Sequence, residues 1–404
     1  MPISCLLCYQ GPAYIPFRQT GVKASLVSIR DEMTHGQYRK MISNAFSLSS
    51  LKAYEPCIDE MVNRFMEVCD EHARTAKTLN LSLWCHYYCY DVVSMLTLGK
   101  PLGFMSGDGQ DAYSLIEHVK AFGRYITVTS QMPWLHKVFR ENPIMRATKP
   151  SPFIRIVQAR INERLDVEKK LVNRDAPRPD LLSHFIAAHR TQPLMTKENV
   201  VVTSSTNLVA GGLSPGSAVD CLCQFLAYHP EAQDKLYAEL SQAQFSTPAL
   251  FDDVKDLPYL EGVIREALRL HGSASLGLQR ISGPGGLDLP GGIHLPANTM
   301  VACSGDAINK DPRIWGIDAN VYDPKRWMKR QGEDPEAHEE RRRQYGRVDL
   351  TFGHGSRGCI GKSIAMLEIS KVVASLMRNF RFELIGEAKK GEVLVRVHRR
   401  KENA

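Results

Sequence analysis

The chain reads as one large, mainly α-helical domain with a small β region. Apolar residues recur at three- and four-residue steps along most of it, as they do on amphipathic helices. Strand-like material, short apolar runs between Gly and Pro, is confined mainly to 277–304 and the tail 380–399. No Gly/Ser tract, Pro-rich hinge, long charge block or internal repeat divides the 404 residues, so 1–404 is read as a single domain.

The periodic segments, in order, are 35–45, 51–72, 82–98, 111–126, 153–172, 179–189, 197–228, 231–243, 259–270 and 362–378. Between the last two, "GGLDLPGGIHLPANTMVAC" supplies the turn-punctuated strands. Segment 197–228 contains "AGGLSPGSA", in which Gly211, Gly212, Pro215 and Gly216 all oppose a helix. An interior proline costs about 3 kcal/mol and each glycine about 1 relative to alanine. Either the helix ends there or the break serves a purpose.

Composition narrows the function classes. A 43% apolar content supports a large core, and the net charge of +7 is mild. The densest basic run, Arg341, Arg342 and Arg343, follows Glu339 and Glu340 and reads as a self-compensated surface. No basic stripe with interleaved aromatics points to nucleic acid, while docking of an acidic protein partner stays open. The ten cysteines are irregularly spaced. Cys5 and Cys8 form a lone C-x-x-C without a second pair at zinc spacing, and most of the others read as buried small apolar residues. "MPISCLLCYQGPAYIPFRQTG" has too short an apolar run for a membrane span and lacks a signal-peptide layout, so no membrane anchor is expected in these residues.

The strongest chemical signal is "FGHGSRGCIGKSIAMLEISKVVASL". Gly353, Gly355 and Gly358 loosen the backbone before Cys359, and Gly361 follows it. From Lys362 onward Ile364, Leu367, Ile369, Val372 and Leu376 make a helix. Cys359 therefore lies in a tight loop at a helix N-terminus, where free N–H groups and the positive dipole end are expected to lower a thiol's pKa. A thiolate held there is a nucleophile or a metal ligand, and with His354 nearby, spacing alone leaves both open. A buried structural cysteine explains neither the glycines nor Arg357.

"FGHGSRGCIG" resembles the haem-binding loop of the cytochrome P-450 haem-thiolate monooxygenases, Phe-x-x-Gly-x-Arg-x-Cys-x-Gly, at every defined position. The resemblance implies that family's fold and a haem b cofactor, with loop 352–361 as its binding loop. Cys359 would be the axial thiolate, pushing electron density toward O–O cleavage. It also implies that Arg357 meets a haem propionate, that Phe352 packs beside the thiolate, and that Gly355 and Gly361 let the backbone approach the porphyrin.

Other segments extend the resemblance. Glu266 and Arg269 share a helix face at i, i+3; in the superfamily such a pair is buried and completed by an arginine from a P-x-R-W segment, here Arg326 of "YDPKRW". The three are read as a structural triad supporting the cysteine loop. His35 and Arg39, at i, i+4 in "HGQYRKMISNAFS", and Arg280 match positions that contact haem propionates. "YDVVSMLTLGKPLGF", "MPWLHKVF" and "YDPKRW" are similar to the fungal pisatin-demethylase-like branch, which carries a flavour of specialised metabolism.

The superfamily's long central helix usually reads Ala-Gly-x-Asp/Glu-Thr-Thr. Counting back from His229 and Pro230 puts Leu213 at the acid, Ser214 at the first threonine and Pro215 at the second. A leucine cannot relay protons. Pro215 lacks the N–H that the Gly211 carbonyl would accept, so Ser214, a water and the Gly211 carbonyl are candidates to replace the relay. The alternative is that the relay is simply lost.

The resemblance begins near Gly21, with 1–20 atypical. The usual membrane helix, hinge and first strands are not recognisable, so the strands near 278–281 and 300–303 are expected to present an open edge. The first functional reading is a monooxygenase that hydroxylates or oxidatively demethylates a small lipophilic natural product, using O2 and electrons from an NADPH–cytochrome P-450 reductase. Its substrate face would include 209–213 and the loop 273–278. A second reading is a haem-thiolate isomerase or dehydratase that needs no reductase. A third is a truncated, non-catalytic haem-binding remnant. The family implies the endoplasmic reticulum surface, and a chain that truly starts here would be cytoplasmic.

Overall fold

The computed structural model describes residues 8–18, 22–106, 115–140, 142, 151–170, 180–271, 277, 279–386 and 392–400. The longer helices are α1 (Glu32–Ile42), α2 (Leu48–Thr75), α3 (Leu81–Leu98), α4 (Leu115–Thr129), α5 (Pro152–Lys170) and α6 (Leu181–Thr191). They continue as α7 (Lys197–Tyr228), α8 (Pro230–Gln242), α9 (Pro258–His271), α10 (Pro335–Val348) and α11 (Lys362–Asn379). Local chemistry sets their ends. Asp31 caps α1 through the Thr34 N–H, Thr196 and Asn199 form a reciprocal capping box on α7, and Gly99 closes α3 at φ 74°. Pro230 sits in the first turn of α8, where its missing N–H does no harm.

Helix α3 is buried on nearly every side, and α7 crosses the molecule against it. The glycines of "AGGLSPGSA" find their reason here. A Cβ at Gly212 would lie 2.2 Å from the Tyr90 ring, and one at Gly211 would lie 2.5 Å from Val93 Cγ2. At Gly216 it would meet His86 Cδ2 at 3.0 Å. The helix runs unbroken from Lys197 to Tyr228, so the small residues do not end it but let it approach α3 closely. Gly212 and Gly216 thus face packed side chains rather than a groove.

The β structure lies to the side of this helical core. Strands β4 (Leu287–Leu289) and β5 (Ile293–Leu295) make a hairpin. Strands β2 (Leu79–Asn80), β8 (Leu394–Arg399) and β7 (Phe380–Leu384) form one antiparallel sheet in that order. In the third sheet β1 (Cys8–Gln10), β3 (Arg280–Ser282) and β6 (Met300–Val301) pair with Gln10 opposite Arg280 and Arg280 opposite Val301. The open edge expected on β3 is therefore covered, because the N-terminal segment supplies its own strand.

The arginine run also departs from expectation. On α10, Arg341 donates to the Arg326 carbonyl at 2.6 Å and pairs with Glu333, and Arg342 pairs with Glu261 at 2.8 Å. Only Arg343, beside Glu339 and Glu340, fits the self-compensated surface. Cys57, Cys69, Cys85, Cys89 and Cys223 are buried and form no disulfide, as their apolar setting implied, whereas Cys303 and Cys359 are exposed. Cys5 lies outside the described residues.

Candidate functional site

The foundation of the site is a buried carboxylate. Glu266 on α9 is fully buried; its Oε1 accepts from Arg269 Nη2 at 2.7 Å and Arg326 Nε at 3.1 Å. Its Oε2 accepts from Arg269 Nε at 2.9 Å and from the Trp327 indole N–H at 3.0 Å. The guanidiniums spend their other donors on the Ala319 and Trp315 carbonyls, both at 2.6 Å, and on Asp318. Such saturation is what makes a buried ion group tolerable. Gly262 permits the approach, since a Cβ there would stand 2.5 Å from the Pro324 carbonyl oxygen. Sequence reasoning brought the three charges together but missed Asp318 and Trp327. Trp327 was the tryptophan of the quoted "YDPKRW".

From this triad the chain passes through the turn Pro324–Trp327 to α10, and α10 leads directly into the cysteine loop. Gly353 and Gly355 hold φ of 65° and 68°, which side-chain-bearing residues rarely adopt. The Cys359 N–H donates to the Phe352 carbonyl at 2.7 Å, and Arg39 Nη1 donates to the Gly358 carbonyl at 2.7 Å. Lys362 lies over the Phe352 ring, 5.6 Å from its centre. Gly361 caps α11, and a Cβ there would lie 4.0 Å from Cys359 Sγ. The thiol differs from expectation in one respect: although the residue as a whole is exposed, the protein packed around its sulfur desolvates the thiolate and pushes the pKa up. The Gly361 N–H, the Arg39 charge, the Lys362 N–H and the Lys362 charge pull it down without prevailing. A helix N-terminus alone does not make this thiolate.

Residues far apart in sequence converge beside the loop. His35 is buried, and its Nδ1 has no partner among the described residues. Burial and then Arg357 push its pKa down to about 4; Glu32 opposes them, while Arg39 and Arg280 add to them. Arg357 is committed: its Nε and Nη2 grip Glu32 at 3.0 and 2.8 Å, and its Nη1 reaches Gln10 Oε1 and the Ile29 carbonyl at 2.9 and 2.7 Å. Arg39 and Arg280 are not. Arg280 spends only Nη1, on the Gln279 carbonyl at 2.9 Å and the Tyr14 hydroxyl at 3.5 Å. An orphaned buried imidazole nitrogen and two half-used guanidiniums next to a cysteine loop fit a planar cofactor bearing carboxylates. The residues present therefore suit haem.

On α7 the structure separates the two oxygen-handling candidates. Gly211 and Pro215 line a cavity together with Asn207, Gly361 at the start of α11, and Glu368. Ser214 does not line it and turns back to donate to the Ala210 carbonyl at 2.7 Å. Leu213, in the acid position, is partly exposed. Of the expected substrate loop, residues 273–276 and 278 lie outside the described residues. Among the described residues no helix is long and apolar enough to cross a membrane, and no cluster of His, Cys, Asp and Glu suits a bare metal ion.

Comparison with known proteins agrees with this geometry. A family model described as Cytochrome P450 matches residues 15–397. A cytochrome P450 monooxygenase of Aspergillus terreus is 30% identical over 88% of this chain and 72% of its own length. Cytochrome P450 monooxygenase cicH of Emericella nidulans is 30% identical over 92% of this chain and 74% of its own. A crystal structure of a cytochrome P450 (CYP102L1) superposes with a TM-score of 0.76 at 20% identity, over 98% of this chain and 86% of that one, and so supports the fold.

Proposed function

Because the chain belongs to the cytochrome P450 family and is a haem-dependent monooxygenase, we propose that it hydroxylates or oxidatively demethylates a small lipophilic natural product in secondary metabolism. Electrons come from an NADPH–cytochrome P450 reductase, and the enzyme works at the endoplasmic reticulum surface. Bound haem, with a cysteine thiolate on its iron, supplies dioxygen binding and O–O cleavage.

The chain's own residues do the rest. Cys359 is the thiolate ligand, and the Gly361 and Lys362 N–H groups and the Arg39 charge stabilise its anionic form. His35, Arg39 and Arg280 hold the propionates, with Arg357 joining them by releasing Glu32. Phe352 packs beside the sulfur, and Gly361 lets the backbone come close. Glu266, Arg269 and Arg326 fix the turn from which α10 and the cysteine loop extend. Gly211 and Ser214 are the polar groups of α7 that accept and orient water: Gly211 through the carbonyl freed by Pro215, Ser214 through its lone pairs.

The observation that carries this reading is the convergence of Cys359 with an unpartnered His35 Nδ1 and the open donors of Arg39 and Arg280. The test is turnover of a lipophilic substrate panel with reductase, with NADPH or dioxygen withheld in turn. Product formation that stops without either supports the monooxygenase. Product formed without both makes the chain an isomerase or dehydratase, a reading that the apolar Leu213 favours.

A further inference from the structure

The Arg357 side chain is only 6% exposed, and every N–H of its guanidinium is taken. Nε donates to both Glu32 carboxylate oxygens, at 3.0 and 3.2 Å. Nη2 donates to Glu32 Oε1 at 2.8 Å and to the Arg30 carbonyl at 3.3 Å. Nη1 donates to Gln10 Oε1 at 2.9 Å and to the Ile29 carbonyl at 2.7 Å. A propionate therefore reaches this guanidinium only where one of these acceptors leaves.

Gln10 is the acceptor least able to leave. It is 3% exposed, and its amide is fixed at both ends: Nε2 donates to the Val27 carbonyl at 3.0 Å, which turns Oε1 toward Arg357. Its backbone carbonyl accepts from Arg30 Nε at 3.2 Å. In the sheet Gln10 pairs with Arg280, so β1 puts these two side chains on one face. The Ile29 and Arg30 carbonyls belong to the backbone that leads into α1 and move only with it. Glu32 is different. Its side chain is 28% exposed, and it is the first residue of α1, where the helix N-terminus favours a carboxylate even after it has swung into water.

We propose that Gln10 is a positioning residue of the haem site, holding Arg357 by Nη1 while the Nε and Nη2 edge exchanges the Glu32 carboxylate for a haem propionate. This rests on the haem-binding reading above. One carboxylate replaces another on the same guanidinium fork, so the charge on Arg357 stays balanced and no proton is transferred. Without the Gln10 amide, Nη1 loses one of its two acceptors, and Arg357 is free to follow Glu32 outward instead of staying for the propionate. Gln10 precedes residues 15–397, which the family model matches, so this contact belongs to the chain's own N-terminal strand rather than to the shared motifs.

The test uses the full chain as wild type, Q10M, E32Q and E32D, each loaded with haem or with haem dimethyl ester, whose propionates carry no charge. Equilibrium partition of either ligand between the chain and a haem-free globin gives each variant's affinity relative to wild type. Q10M keeps the length of the side chain but not its acceptor. It should bind haem about 10-fold more weakly while binding the ester as wild type does. E32Q should bind haem about 2–5-fold more tightly, again with no change for the ester. E32D keeps the charge but shortens its reach, and should share the gain. A side chain that merely stabilises the fold would instead weaken both ligands. Equal losses of haem and ester in Q10M, an unchanged haem affinity in Q10M, or Glu32 variants that bind haem no more tightly than wild type overturn the proposal. The Glu32 variants decide the matter if Q10M fails to fold. Failure of the underlying reading looks different: no thiolate-type carbon monoxide band forms in the wild type.

Discussion

Arg39 Nη1 donates to the carbonyl oxygen of Gly358 at 2.7 Å, joining α1 to the residue just before Cys359. One guanidinium thereby fixes the loop backbone, and its remaining donors point to the propionate role. Replacing Arg39 by alanine removes both contributions. A charge-assisted hydrogen bond of this type contributes about 1.5–3 kcal/mol. R39A should lose most of its haem on gel filtration, measured as the haem-to-protein ratio, whereas R39K should retain an intermediate share.

Glu266 neutralises two buried guanidiniums at once. Removing one partner of a buried ion group is expected to cost about 3–5 kcal/mol, because charge is left unpaired. E266A should lower the free energy of chemical unfolding by that amount. D318N, which removes the charge of a more exposed carboxylate beside Arg326, should lower that free energy by under about 1 kcal/mol.

The close approach of α7 to α3 predicts opposite outcomes for two glycines. At Gly212 an added Cβ would collide with the Tyr90 ring at 2.2 Å, so G212A should destabilise by about 1–3 kcal/mol despite alanine's better helix propensity. Gly36 in α1 has nothing within 4 Å of its Cβ position, and G36A should stabilise by about 0.5–1 kcal/mol. Thermal or denaturant unfolding of both variants checks the contrast.

His35 makes the haem-free chain acid-sensitive. Its pKa is pushed from 6.5 down to about 4 on folding, so between those values the unfolded chain binds the proton and the native one does not. Stability is full above pH 6.5 and falls as pH drops toward 4, by at most about 3 kcal/mol from this group. H35Q should flatten that part of the stability–pH curve. Haem propionates would favour the imidazolium, so the loaded protein should show a weaker acid loss than the haem-free one.

Long helices were legible because their apolar residues recur at helical spacing, and the predicted segments coincide with α1–α9 and α11 to within a few residues. Helix α10 was not, since Glu336, Glu339, Glu340 and Arg341–Arg347 give it charge nearly all round and Tyr345 is its one buried side chain. Strand β1 was missed for a different reason: it has three residues, and its partner Arg280–Ser282 is far away in sequence. The E-x-x-R and cysteine-loop residues were readable from spacing and resemblance. The direction of the Cys359 shift was not, because burial is a tertiary property that outweighs the local dipole.

The central claim is that Cys359, in its glycine loop at the head of α11, holds haem iron as a thiolate. The carbon monoxide difference spectrum of the reduced, haem-supplied chain tests it most directly. A thiolate-type band that disappears in C359H is the predicted result. No band, or the band of a protonated or displaced thiol, would contradict it.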